Sequence, residues 1–231
     1  MSQTGTETAD GGGNSPCQPP RDCDLCPRLA AFLQEQRQAH PDWFNAPVPP
    51  FGDPHARMAI IGLAPGLRGA NRTGRPFTGD FAGDLLYGTM IRLGLAEGRY
   101  DARPDDGLAL RDTVIINAVR CVPPQNKPAP AEIRTCNRFL KCEFDRRSEL
   151  RVVLALGRVA HDAVLMAHGL VRARYRFAHG ARHALPNGRV LYDSYHCSRY
   201  NTQTGRLTPE MFLDVMTRRP AEAQAATRRP S

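Results

Sequence analysis

Four short apolar runs limit what this chain can fold into more than any other feature. They are Arg57–Leu63 (RMAIIGL), Thr113–Ala118 (TVIINA), Val152–Leu156 (VVLAL) and Arg189–Ser194 (RVLYDS). Each is rich in Val, Ile or Leu and barely alternates between apolar and polar, the pattern of strands covered on both faces. Segments with helical spacing stand around them: Arg28–Gln38, Asp80–Leu93, Pro130–Arg147, Gly157–His168 and Pro209–Arg218. Strand–helix alternation of this kind predicts an α/β chain, a three-layer α/β/α domain on a four-stranded parallel sheet. Ligands of such sheets bind outside the C-terminal ends of the strands. Function is therefore to be sought in the loops that follow the four runs.

The expected domain covers residues 21–220, between flexible tails at 1–20 and 221–231 that are poor in apolar residues. No run is long and apolar enough to cross a membrane, and the first residues lack the basic start and apolar core of a secretory signal. A cytoplasmic location is the resulting expectation. Lys and Arg number 31 against 23 Asp and Glu, a formal net charge of +8. That excess favours a polyanionic partner through counterion release, although a basic surface also serves solubility.

The loop after the first run begins Gly62-Leu63-Ala64-Pro65-Gly66 and continues LRGANRTGRPFTGD. Its spacing matches neither the dinucleotide nor the nucleoside-triphosphate glycine loop. It carries Arg68, Arg72, Arg75, Phe77 and Asp80. Asp80 has two readings, the N-cap of the helix that follows or a reacting carboxylate. After the second run, Asn117 offers an amide suited to the polar edge of a base or to nearby loop backbone. Past the fourth run stands Tyr195-His196-Cys197-Ser198-Arg199-Tyr200-Asn201, where His196 suits either a developing negative charge or a structural hydrogen bond. Three strand ends thus converge on residues fit for one small polar ligand, with Arg, Ser, Thr and Asn nearby for phosphates.

Seven cysteines, an odd number, argue against a disulfide framework and for metal ligation. Cys23 and Cys26 form a CxxC pair before the first helix, and Cys121 and Cys136 are separated by fourteen residues. Four such thiolates suit tetrahedral zinc or a four-iron cluster. Cys17, Cys142 and Cys197 remain, and Cys17 is near enough to Cys23 to compete as a ligand.

Taken in order, CDLCPRL, GLAPGLRGANRTGRPFTGD, NAVRCVPPQNKPAPAEIRTC and HCSRYNTQTGRLTPEMF resemble the iron–sulfur uracil-DNA glycosylases of thermophile type, and among them the fifth family, type B. That resemblance implies hydrolysis of the N-glycosidic bond of uracil, and of other deaminated or damaged bases, in DNA. It implies a 4Fe-4S cluster on Cys23, Cys26, Cys121 and Cys136, with DNA as partner and a monomeric enzyme. Asp80, Asn117 and His196 match the family's active-site positions. Phe77 matches the aromatic that stacks on the flipped base, with the backbone of Gly62 and Ala64 beside it. Arg199 and Tyr200 are expected to enter the minor groove. Leu63 departs from relatives of other branches that have a polar, water-activating residue there, which leaves Asp80 as the candidate carboxylate. Cys197 stands where relatives often have Pro. A non-catalytic iron–sulfur DNA-binding protein and a zinc-stapled nucleotide-binding module are the competing readings.

Overall fold

The computed structural model describes residues 16–225. In chain order the elements are α1 (Pro27–Ala39), β1 (Phe51–Gly52), β2 (Met58–Gly62), α2 (Ala70–Thr73), α3 (Phe81–Arg92), β3 (Ala96–Glu97), β4 (Ala109–Leu110), β5 (Thr113–Asn117), α4 (Pro130–Arg146), β6 (Val152–Leu156), α5 (Arg158–Ala167), β7 (Arg182–Ala184), β8 (Val190–Ser194), α6 (Arg199–Gln203) and α7 (Pro209–Ala225). Short 3-10 turns at Pro124–Asn126 and Arg172–Arg174 interrupt the loops after β5 and α5. The helix at the C-terminal end continues past Arg218 into the expected tail. The other tail positions fall mostly outside the described residues.

The main sheet has the order β1-β5-β2-β6-β8-β7. Its four inner strands are the four apolar runs, all parallel, in register so that Gly62 lies beside Asn117 and Leu156 beside Ser194. The expected four-stranded parallel sheet is corrected to a six-stranded mixed one, because β1 and β7 add an antiparallel strand at each edge. Both are too short and too exposed to leave an apolar run. A signal for β7 is nonetheless present: Asn187-Gly188 precedes β8, and Asn-Gly is the commonest tight-turn pair of hairpins.

Successive side chains of a strand point to opposite faces, and β2 shows the consequence. Met58 and Ile60 pack with Leu86 and Met90 of α3 and Phe212 and Met216 of α7. Ala59 and Ile61 pack with Leu140 and Phe144 of α4 and Val164 of α5. Three layers follow directly, each buried Leu, Ile or Phe contributing about 1.5–3 kcal/mol by burial. A smaller cluster holds Leu29 and Leu33 of α1 against Val119, Cys121, Val122 and Cys136. No helix among the described residues is long and apolar enough to cross a membrane.

Cys17 and Cys142 form a disulfide with their Cα atoms 5.1 Å apart, a correction to the expectation of none. The odd cysteine count bears on a framework of many bridges, and this is a single tie from the segment before Cys23 to α4. Cys17 is consequently no competitor for a metal beside Cys23.

Candidate active site

A cavity of about 510 Å³ opens at the C-terminal ends of the inner strands, and its lining includes Ala64, Phe77, Asp80, Asn117, His196 and Arg199. Residues far apart in sequence meet there because parallel strands deliver all their following loops to one edge of the sheet.

Asn117 is the last residue of β5 and is 3% exposed. Its amide makes no hydrogen bond with the described residues, so donor and acceptor both stay available to the cavity. Gly62 is required beside it. A Cβ there would come within 2.4 Å of Asn117 Oδ1 and 2.8 Å of the Phe77 ring, closer than carbon atoms tolerate. The aromatic wall is Phe77, buried, with φ of 53°. An aromatic residue in the left-handed region costs of order 1–3 kcal/mol, the kind of strain that collects at ligand clamps. Its carbonyl accepts a hydrogen bond from the Tyr100 hydroxyl at 3.1 Å, which helps hold the turn.

Asp80 caps α3: its Oδ1 accepts from the backbone N–H of Ala82 at 3.1 Å and of Gly83 at 3.2 Å. The other oxygen, Oδ2, faces the glycine loop. A Cβ on Gly69 would lie 2.6 Å from it. Burial pushes the carboxyl above its ordinary value, against the two amide hydrogen bonds that favour its charge. The two sequence readings of Asp80 are thus compatible, one for each oxygen. Asp80 is also the one carboxylate among the residues lining the cavity.

His196 follows β8, and its carbonyl accepts from Asn201 Nδ2 at 2.8 Å, which fixes the backbone beneath the ring. The ring is stacked near Phe77, centroids 5.9 Å apart and planes 28° from parallel. Burial alone pushes its pKa down to about 4, so the imidazole is neutral around pH 7 and retains one N–H donor. Arg199 lines the rim with its guanidinium 5.4 Å from the centre of the Phe81 ring. Tyr200 stands outside the lining and is 71% exposed.

Asn126 also lines the cavity and escaped the sequence reading. It reaches the site because Gln125 and Asn126 both adopt positive φ, 56° and 57°, in the turn after Pro124. An Asn shortly after a Pro-Pro pair is the available signal, since Asn tolerates that conformation better than most residues. Arg75, grouped by sequence with the phosphate-contacting arginines, is taken up elsewhere. It is buried, bound through two nitrogens to Asp106 at 2.7 and 2.8 Å, and lies among Phe51, Tyr87 and Tyr100.

The four cysteines of the sequence reading line a second, small cavity together with Leu29, Val119 and Phe139. Cys23 and Cys26 lie at the start of α1, Cys121 in the loop after β5, and Cys136 on α4. The Arg120 backbone N–H donates to Cys136 Sγ at 3.3 Å. Burial and the neighbouring thiols push Cys26 up to about 11 and also raise Cys121 and Cys136, so the thiolate forms need a cationic group to be stable there. Among the described residues, His161, His183 and Asp193 also bring three metal-binding donor atoms within 4.8 Å of one another. The Asp193 carboxylate instead serves β7 and α5, with His161 Nδ1 at 2.7 Å and His183 Nε2 at 3.0 Å.

The model of the uracil DNA glycosylase superfamily matches residues 49–218. The chain belongs to this superfamily. The match takes in the pocket residues named above, with Cys121 and Cys136, and begins after Cys23 and Cys26. A type-5 uracil-DNA glycosylase of Thermus thermophilus is 50% identical over 200 residues, covering 84% of this chain and 90% of that protein. One from Pyrobaculum aerophilum is 38% identical over 205 residues, 87% and 89% of the two chains. The type-4 enzyme of P. aerophilum matches less far, 31% over 150 residues, 64% of this chain and 62% of that one. Within the uracil-DNA glycosylases the chain groups with type 5.

Proposed function

We propose that this uracil-DNA glycosylase flips a deaminated nucleotide out of the duplex and hydrolyses its N-glycosidic bond, leaving free base and an abasic site. What carries the reading is one pocket that brings together a desolvated carboxylate, an unpaired amide, an aromatic face and a neutral imidazole. A base stacked in DNA is out of reach of any such pocket, so flipping is obligatory. Exposed Tyr200 and Arg199, side by side at the rim, are suited to fill the vacated space.

In the pocket Phe77 stacks on the base and the Asn117 amide bonds its polar edge. Bond breaking leaves positive charge on the sugar and negative charge on the base. The neutral His196 ring donates a hydrogen bond to the uracil oxygen that gains charge, with the backbone of Gly62 and Ala64 alongside. Asp80, held through Oδ1, uses Oδ2 to stabilise the sugar cation and orient a water. The water oxygen bonds to the sugar carbon as the bond to the base nitrogen breaks. One water proton passes to solvent by way of the carboxylate, and the released uracil anion is protonated. Leu63 puts an apolar side chain on the pocket wall where a water-activating one stands in other branches, which leaves that task to Asp80. The family resemblance extends the substrates to other deaminated bases such as hypoxanthine.

Cys23, Cys26, Cys121 and Cys136 would hold a 4Fe-4S cluster; four cysteines lining one small cavity, with Cys121 and Cys136 buried in it, fit it. When bound, such a cluster supplies iron–sulfur crosslinks. Its ligands would join α1, α4 and the loop after β5, which carries Asn126 toward the pocket.

Two replacements test the assignments. His196→Ala is expected to slow single-turnover uracil release by about 10²–10³-fold while lesion DNA binds nearly as before, because its bond strengthens only as charge develops. Equal loss in binding and rate would make His196 a ground-state contact. Asn117→Ala should narrow the gap between release of uracil and of hypoxanthine from otherwise identical duplexes; an unchanged ratio would show that the amide does not read the base.

A further inference from the structure

A third cavity, of about 280 Å³, adjoins the base pocket, and Arg158 lines both. Its walls include Arg158, Asp162, Arg172, Tyr175 and Arg176. Three guanidinium groups around one hollow repel one another, and the cavity lining offers a single carboxylate to offset them. Asp162 meets Arg172 at 3.3 Å. Arg158 and Arg176 have no acidic partner among the described residues. The segment from residue 170 to 182, LVRARYRFAHGAR, contains four arginines and no acid.

Aromatic and backbone contacts hold that segment in place. The Tyr175 carbonyl lies 2.9 Å from His161 Nε2, and the Phe177 ring is 5.6 Å from that of His161 and 6.2 Å from that of Tyr195. The Tyr195 backbone N–H donates to His179 Nδ1 at 3.2 Å. The basic cavity is thereby fixed to the end of β8, the same strand end that delivers His196. Its position beside the pocket is set by the fold rather than by the wandering of long side chains.

We propose that this cavity is a phosphate site for the DNA strand carrying the flipped nucleotide. The inference rests on the glycosylase reading and adds where the strand runs: from the pocket, past Arg158, onto Arg172 and Arg176. Guanidinium groups suit the task because their fork of donors matches phosphate oxygens. A phosphate would offset the two arginines that no carboxylate serves.

The probe is a labelled duplex with one 2′-fluoro-2′-deoxyuridine, which is bound and resists cleavage, titrated at several salt concentrations. The Arg172→Ala/Arg176→Ala double variant should flatten the plot of log affinity against log salt by about 0.9 for each phosphate that is no longer neutralised. Arg172→Lys/Arg176→Lys should keep most of the slope, since charge and not shape sets it. Asp162→Ala should act in the opposite direction and tighten binding at low salt. A wild-type slope in the double alanine variant overturns the site. Uracil release by the wild-type protein is measured alongside. Normal release with an unchanged slope removes only the phosphate site, whereas no release removes the glycosylase reading and this inference with it.

Discussion

Asp80→Asn should slow single-turnover uracil release by about 10²–10⁴-fold, the usual weight of a positioned acid–base group, and leave the protein folded. Asparagine caps a helix about as well as aspartate, so the bonds from Ala82 and Gly83 survive the change. Charge is what disappears. Because burial raises the folded-state pKa of Asp80, the native protein holds that proton more tightly than the unfolded chain does. By linkage the charged form costs stability, a cost absent at low pH and growing as pH rises through the raised pKa. The neutral Asn variant should therefore unfold at the same temperature as the wild type at pH 7, or a higher one. Wild-type release should fall as pH drops through a pKa above the ordinary carboxylate value of 3.8, and the Asn variant should lack that acid limb. His196, already neutral down to about pH 4, adds no step near pH 6.5. A folded Asn variant with full rate would reduce Asp80 to a cap and leave the pocket without a carboxylate.

Cys136→Ala should produce the other large effect. It removes one of four cluster ligands and the sulfur that accepts from the Arg120 backbone. Purified anaerobically, wild-type protein is expected to contain about four iron atoms per chain. The variant should lose most of its iron and its visible absorbance, and unfold at a markedly lower temperature, because binding energy at a structural site is folding energy. Strong reductant should leave most of the wild-type iron in place, since the Cys17–Cys142 bridge lies apart from the cavity ligands. Zinc without iron in the wild type, or full iron in the variant, would contradict the cluster assignment.

The inner sheet was legible because burial on both faces forces continuous apolar sequence. VVLAL could hardly be anything but a covered strand, and it occupies Val152–Leu156. The pocket was legible for the same reason: once the strands are placed, their ends are placed, and Asp80, Asn117 and His196 must lie near one another. Short-range geometry was harder to read. The strands at the edges depend on pairing rather than composition, and only the Asn-Gly turn hints at β7. Asn126 enters the pocket through two consecutive left-handed residues that no periodicity reports. Arg75 looked like its exposed neighbours until Asp106, thirty-one positions away, claimed it. The Cys17–Cys142 bridge spans 125 positions, and only tertiary structure brings such partners together.

The central claim concerns what leaves the DNA. The wild-type protein, in excess over a duplex with one uracil opposite guanine, is incubated in isotopically labelled water, and both strand and released base are weighed. The expected result is free uracil without the label and an unbroken strand with an abasic site whose sugar carbon carries one labelled oxygen. A strand that keeps its uracil, or one that is cut while the base stays attached, would contradict the assignment.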